Sequence, residues 1–162
     1  MVKSSEVSVP ENAEVAKTGS ILVGDVLVSG TANAERIVLE KPLSFWGGYD
    51  SNVGKIIDRT HPQVGETLAG KIMVMAHAKG SSSSSSVLAE AIRNGTGPAG
   101  IVLRERDLII SIGAIVAVEL YNLAVPVVCL TPSAFDQVIA SRGSIRIEAG
   151  EGINGARVFF TD

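Results

Sequence analysis

The chain has 162 residues, 46% of them apolar and 19% charged, which excludes a disordered polymer and suits one compact domain. Aromatics make up only 4%, so the core must be built from Val, Ile, Leu and Ala. Fourteen Lys plus Arg stand against 17 Asp plus Glu, a net charge of −3 that offers no basic excess for a nucleic-acid backbone or an anionic membrane.

Residues Met1–Gly19 lack periodicity and read as a flexible leader without a signal-peptide core, which leaves 20–162 for the domain. Ile21–Val28 is rich in β-formers and reads as a strand ended by Gly30. Arg36–Leu39 reads as a second, short strand, stopped by Pro42. Pro42–Asp50 gathers Phe45, Trp46 and Tyr49 around Gly47 and Gly48 in a loop. Lys55–Asp58 is a short edge-like strand, His61–Gly65 a turn, and Lys71–Met75 a buried strand.

The second half alternates helix and strand. Six serines, Ser81–Ser86, lead into a helix with Val87, Leu88, Ala91 and Ile92 on one face, closed by Asn94 and Gly95. Gly100–Leu103 is a strand. Leu108–Leu123 is a buried helix whose apolar run, Leu108–Val118, is far shorter than a membrane span. Pro126–Leu130 is a strand carrying Cys129, the only cysteine. A lone cysteine excludes an intrachain disulfide and a self-contained cysteine metal site, and fits a reducing, cytoplasmic compartment. Ser133–Ala140 is a helix with Ser133 as its N-cap, and Ile145–Glu148 and Arg157–Phe160 are the last strands. The expected fold class is α/β in a single domain, with strands dominating the first half and βαβ units the second.

Two phosphate-binding patterns fail on context. Gly65–Lys71 fits most of a P-loop, but Ile72 stands where a metal-binding Ser or Thr is required, and a strand follows instead of a helix. Gly95–Gly100 fits G-x-G-x-x-G, yet it follows a helix and opens a strand, the reverse of the order the mechanism needs. Hydrolase readings fare no better, with two histidines and no nucleophile elbow. His61 reads as a surface or turn-packing residue, His77 as a structural hydrogen-bonding one, and Cys129 as an inert core thiol.

The serine run carries the chemistry. Small residues between a strand and a helix expose backbone N–H groups to an anion, and the helix dipole adds positive potential. Lys79 contributes a formal charge directly before Gly80 and Ser81. Lys79, Gly80, Ser81, Ser82 and Ser83 thus form an anion-binding strand–loop–helix, for a carboxylate or a phosphate. The same field favours a serine alkoxide, so a proton-transferring serine is conceivable there. Ser84, nearer the helix, is expected to contribute mainly N-capping.

Five segments taken in order resemble the small subunit, or swivel domain, of the aconitase X family. They are Pro42-Leu43-Ser44-Phe45-Trp46-Gly47-Gly48-Tyr49-Asp50, Ile57-Asp58-Arg59-Thr60-His61-Pro62, Gly70-Lys71, Lys79-Gly80-Ser81-Ser82-Ser83 and Arg93-Asn94-Gly95. One departure is Ala76-His77-Ala78, where the family's approach to the loop contains proline and glycine. The resemblance implies a swivelling β/β/α fold and a dehydratase completed by a large subunit. It implies that Ser81 is the proton acceptor and that Lys79, Gly80, Ser82 and Ser83 hold a small carboxylate substrate. It further implies an iron–sulfur cluster, 2Fe–2S favoured, or iron, ligated by the large subunit and not by this chain.

Within the family, Gly80 followed by six serines looks more like the cis-3-hydroxy-L-proline dehydratases, which form a pyrroline-2-carboxylate, than like the phosphomevalonate dehydratase small subunits. A non-catalytic anion-binding module is the alternative of another class. A phosphohistidine carrier is disfavoured because Ala78, Lys79 and Gly80 separate His77 from Ser81. Phe45 and Trp46 have two readings of equal weight: plugging the end of the domain, or anchoring the large subunit. Asp58 and Arg59 could pair on the surface or reach the shared cleft.

Overall fold

A computed structural model describes residues 21–151 and 155–161. The leader expected over Met1–Gly19 lies outside the described residues. The elements in chain order are β1 (Leu22–Val28), β2 (Gly30–Val38), the short turn α1 (Phe45–Gly48), β3 (Tyr49–Asp50), β4 (Lys55–Ile56), β5 (Ile72–Met75), α2 (Ser84–Asn94), β6 (Gly100–Leu103), α3 (Leu108–Tyr121), β7 (Val127–Cys129), α4 (Pro132–Ala140), β8 (Ser144–Ala149) and β9 (Ala156–Thr161).

Seven strands close into a barrel in the order β1-β7-β6-β5-β2-β8-β9, and β3 with β4 forms a separate two-stranded sheet. The pairs β2·β5, β5·β6 and β6·β7 are parallel, while β2·β8, β8·β9, β9·β1 and β1·β7 are antiparallel. The two halves read differently in sequence for one physical reason. β5 and β6 are buried at every position, because α2 and α3 cover the outside of the parallel half. In β8 the odd positions Ile145, Ile147 and Ala149 are buried while Arg146 is exposed, since that outer face meets water.

Alternation sorts the side chains into two cores. Ile72, Val74, Val102, Val128, Ile145, Ile147 and Val158 point into the barrel, where α4 adds Phe135 and Val138. Met73, Met75, Ile101, Leu103 and Val127 point the other way, against Leu88 and Ile92 of α2 and Ile110 and Ala114 of α3. Leu43, Phe45, Tyr49 and Ile56 join this second core.

Three local expectations are corrected. Gly30 does not end a strand. It begins β2, which runs six residues earlier than the predicted Arg36 and pairs Gly30–Glu35 with β8. The alanine-rich stretch Gly30–Glu35 lacks the branched side chains that mark a strand; its identity comes from its neighbour. The N-cap of α4 is Thr131, whose side chain accepts from the Ala134 N–H at 3.2 Å, with Pro132 in the first helical position and Ser133 exposed behind it. Gly95, in contrast, closes α2 in the left-handed conformation (φ 77°) as expected.

Candidate functional site

The parallel strands deliver their connecting loops to one end of the barrel, the end at which parallel-sheet proteins gather ligands. After β5 the chain leaves the sheet through Ala76–Ala78 and reaches Lys79, Gly80, Ser81, Ser82 and Ser83, all five exposed. Ser84 then opens α2. The loop is a turn wound directly into the helix: Ser84, Ser85 and Ser86 N–H groups donate to the carbonyls of Ser81, Ser82 and Ser83 at 2.9, 3.2 and 3.2 Å. Ser85 and Ser86 hydroxyls turn back onto the Ser82 and Ser83 carbonyls at 2.7 and 2.8 Å. They are occupied by the helix. Ser83 is the N-cap, in helical geometry (φ −64°, ψ −18°), and its side chain makes no capping bond. The hydroxyls of Ser81, Ser82 and Ser83 are therefore the ones presented beside the first turn of α2 and the charge of Lys79.

Two residues that the sequence reading undervalued hold this loop in place. Gly80 has φ +107°, and a Cβ there would lie 2.2 Å from Ser44 Oγ and 3.0 Å from Ser84 Oγ. Ser84 is only 2% exposed and is no cap. Its Oγ accepts the Trp46 N–H at 3.1 Å and lies 3.5 Å from Ser44 Oγ, which in turn donates to the Trp46 carbonyl at 3.0 Å. The serine loop and the aromatic loop are thus one knot. A signal for it exists in the sequence: Ser84 shares the helical face of Leu88, Ala91 and Ile92, so it points inwards.

Lys79 lines a small cavity of about 170 Å³ with Lys41, Asp58, Thr60 and His61. Asp58 Oδ1 accepts from the Thr60 hydroxyl at 2.7 Å and the Thr60 N–H at 2.9 Å. That hydroxyl, then the amide and the nearby Lys79 charge, hold the Asp58 carboxyl below its ordinary value. Asp58 therefore serves its own turn, not a pair with Arg59. His61 is 3% exposed; its Nδ1 accepts from the Gln63 N–H at 3.1 Å and its Nε2 donates to the Lys41 carbonyl at 3.0 Å. Both ring nitrogens are spent on the turn, which makes His61 a packing residue, in line with one of its expected readings. His77 is exposed, with Nδ1 3.3 Å from the Ala78 carbonyl.

Of the two aromatics, Phe45 takes the reading that plugs the end of the domain. Phe45 is fully buried and packs edge-on against Tyr49 at 5.7 Å between ring centroids, whereas Trp46 is 60% exposed. The Tyr49 hydroxyl donates to the Thr96 carbonyl at 2.6 Å, fastening the small sheet beneath α2.

Among the described residues, no three His, Cys, Asp or Glu side chains converge to hold a metal ion. The Cys129 thiol donates to the Arg104 carbonyl at 3.4 Å, and burial pushes its pKa up, away from the thiolate a metal requires. The donor set among the described residues does not fit an iron–sulfur cluster. No helix among the described residues is long and apolar enough to cross a membrane.

What this arrangement can do is bind an anion at a helix entrance under a lysine and offer a hydroxyl beside it. Comparison with known proteins assigns its lineage. The chain is 42% identical over 124 residues to a cis-3-hydroxy-L-proline dehydratase of Pseudomonas aeruginosa, covering 76% of this chain and 21% of that protein. It is 42% identical over 96 residues to the phosphomevalonate dehydratase small subunit of Pyrococcus furiosus, covering 59% of this chain and 72% of that one. The crystal structure of Thermococcus kodakaraensis aconitase X in its holo form contains a chain that superposes with a TM-score of 0.73 at 31% identity, over 88% of this chain and 100% of that one. The chain spans about a fifth of the length of the Pseudomonas relative. With residues 21–155 also matching the family model for the aconitase X swivel domain, the chain belongs to the aconitase X swivel-domain family.

Proposed function

We propose that the chain is the swivel part of an aconitase X-type hydro-lyase that dehydrates cis-3-hydroxy-L-proline to a pyrroline-2-carboxylate together with a large, iron-holding subunit. The observation that carries the reading is the exposed loop Lys79–Ser83, wound into the start of α2. The substrate carboxylate fits against Lys79 and the N–H groups of Gly80, Ser82 and Ser83. Dehydration removes a proton from the carbon bearing the carboxylate and a hydroxyl from its neighbour, which leave as water. Ser81 takes the proton, its alkoxide favoured by the helix entrance and by Lys79. The iron site implied by the family is not built from residues of this chain and belongs, in this reading, to the large subunit. The single, half-buried Cys129 and the net charge of −3 support a cytoplasmic protein that binds neither nucleic acid nor membrane.

The substrate assignment rests on reach. At the same 42% identity, the hydroxyproline enzyme aligns over 124 residues and the phosphomevalonate subunit over 96. The second reading, a phosphomevalonate dehydratase small subunit, is favoured by the share of that protein covered, 72%. Co-expression with the large subunit and assay on both substrates decides between them. Ser81→Ala is expected to lower kcat about 10²–10⁴-fold, with assembly and iron content unchanged. Near-normal turnover in Ser81→Ala, with loss in Ser82→Ala, would move the base by one residue. If the double variant Ser81→Ala with Ser82→Ala turned over normally, the loop would be an anion cradle only. Dehydration by this chain alone would overturn the two-part reading.

A further inference from the structure

We propose that the indole of Trp46 is the anchor on which the large subunit docks, on the same knot of Ser44 and Ser84 that holds the serine loop. This rests on the two-part dehydratase reading above and names the surface that reading needs.

Trp46 is exposed by construction. The chain leaves helical geometry at Trp46 (ψ 113°) and at Gly47 (φ +80°), and Phe45 and Tyr49 on either side enter the core while Trp46 remains 60% exposed. Its backbone is nonetheless held at both ends, the N–H by Ser84 Oγ and the carbonyl by Ser44 Oγ. An exposed aromatic on a clamped backbone is preorganised for binding, because little conformational freedom remains to be lost. Exposed Ile57 extends the apolar surface, its N–H donating to the Gly48 carbonyl at 2.8 Å. Tryptophan in such a setting is the residue type most enriched at interface hot spots.

The occupant follows from the relatives and from the position of the patch. The same unit is the whole of one chain of the Thermococcus protein and about a fifth of the Pseudomonas chain, so in the latter four-fifths of a polypeptide is joined to it. The Trp46 backbone is held by Ser44 and Ser84, the two residues against which Gly80 of the serine loop packs, so whatever seats on the indole lies at the mouth where Ser81 must meet substrate. A second copy seated there would obstruct that mouth; the large subunit must approach it.

Trp46 is the only tryptophan in the chain, which provides a direct reporter. The chain labelled with 5-fluorotryptophan and mixed with unlabelled large subunit should show its single ¹⁹F resonance shift and broaden as the complex forms. Trp46→Ala should weaken the complex about 30-fold or more, while the isolated variant unfolds at the wild-type temperature. Ser84→Ala, which leaves the indole in place but unties the Trp46 backbone N–H, should weaken the complex several-fold. Saturating large subunit should restore most of the turnover of Trp46→Ala but none of that lost in Ser81→Ala, which separates an anchor from a catalytic residue. A complex of wild-type affinity in Trp46→Ala, with the ¹⁹F signal unmoved on binding, would overturn the proposal and leave the two-part reading standing. Failure of any complex to form, or a ¹⁹F shift that depends only on the concentration of this chain, would overturn both the anchor and its occupant.

Discussion

A methyl group at position 80 would stand 2.2 Å from Ser44 Oγ on a backbone at φ +107°, so it would meet a steric and a conformational penalty together. Gly80→Ala is expected to cost about 1–3 kcal/mol, measured by denaturant unfolding, and to lower turnover further by displacing Ser81. Asp58 bears on the neighbouring turn through its charge. Its carboxyl is lowered in the folded chain chiefly by the Thr60 hydroxyl. The stabilisation is therefore complete above the ordinary Asp value of about 3.9 and is lost as pH falls through the lowered one. Asp58→Asn should lower stability at neutral pH and leave it nearly unchanged in strong acid, so that the acid limb flattens; an unaltered acid limb would show the Thr60 contacts to be energetically idle. The strand–loop–helix placement of Lys79–Ser83 was readable, since a glycine and serines between a buried run and an amphipathic run mark a loop by themselves. The role of Ser84 was not, because its partner Trp46 lies 38 residues away.

At the scale of elements, helix α3 begins at Asp107, whose carboxylate accepts the Ile110 N–H at 2.7 Å, and α4 begins at Thr131 by the same device. Thr131→Ala should destabilise the chain by about 1 kcal/mol, whereas Ser133→Ala should be close to neutral; thermal unfolding of the two variants reads the difference. Equal losses would return the cap to Ser133. Hydrophobic period alone located β5, β6, α2, α3 and β8, since each has one or two strongly buried faces. It failed for the first six residues of β2, where Ala32 and Ala34 face inwards against Ile145 and Ile147 and supply little apolar signal of their own. Local propensity also placed the cap of α4 two residues late, because a serine and a threonine compete for that role and only the backbone path distinguishes them.

At the scale of the molecule, closure depends on β1 serving two neighbours. Leu22–Gly24 pairs with β9, then Asp25–Val28 pairs with β7. Gly24 marks the crossing, where a Cβ would lie 2.5 Å from the Cys129 carbonyl oxygen. The barrel is complete from Leu22 onwards, so a chain beginning at Thr18 is expected to unfold as cooperatively as the full one. A broadened transition or exposed-core dye binding in that variant would make the first 17 residues part of the fold.

By itself the sequence determined the α/β class, the order of most elements and the family, because these depend on periodicity and on residues adjacent in the chain. Only the tertiary structure decided that the strands close into one barrel, that Phe45 is buried while Trp46 is exposed, and that Ser44, Trp46, Gly80 and Ser84 form a single knot. Those outcomes depend on contacts between distant segments, such as Ser44 with Ser84 and β1 with β9, which local propensity cannot encode.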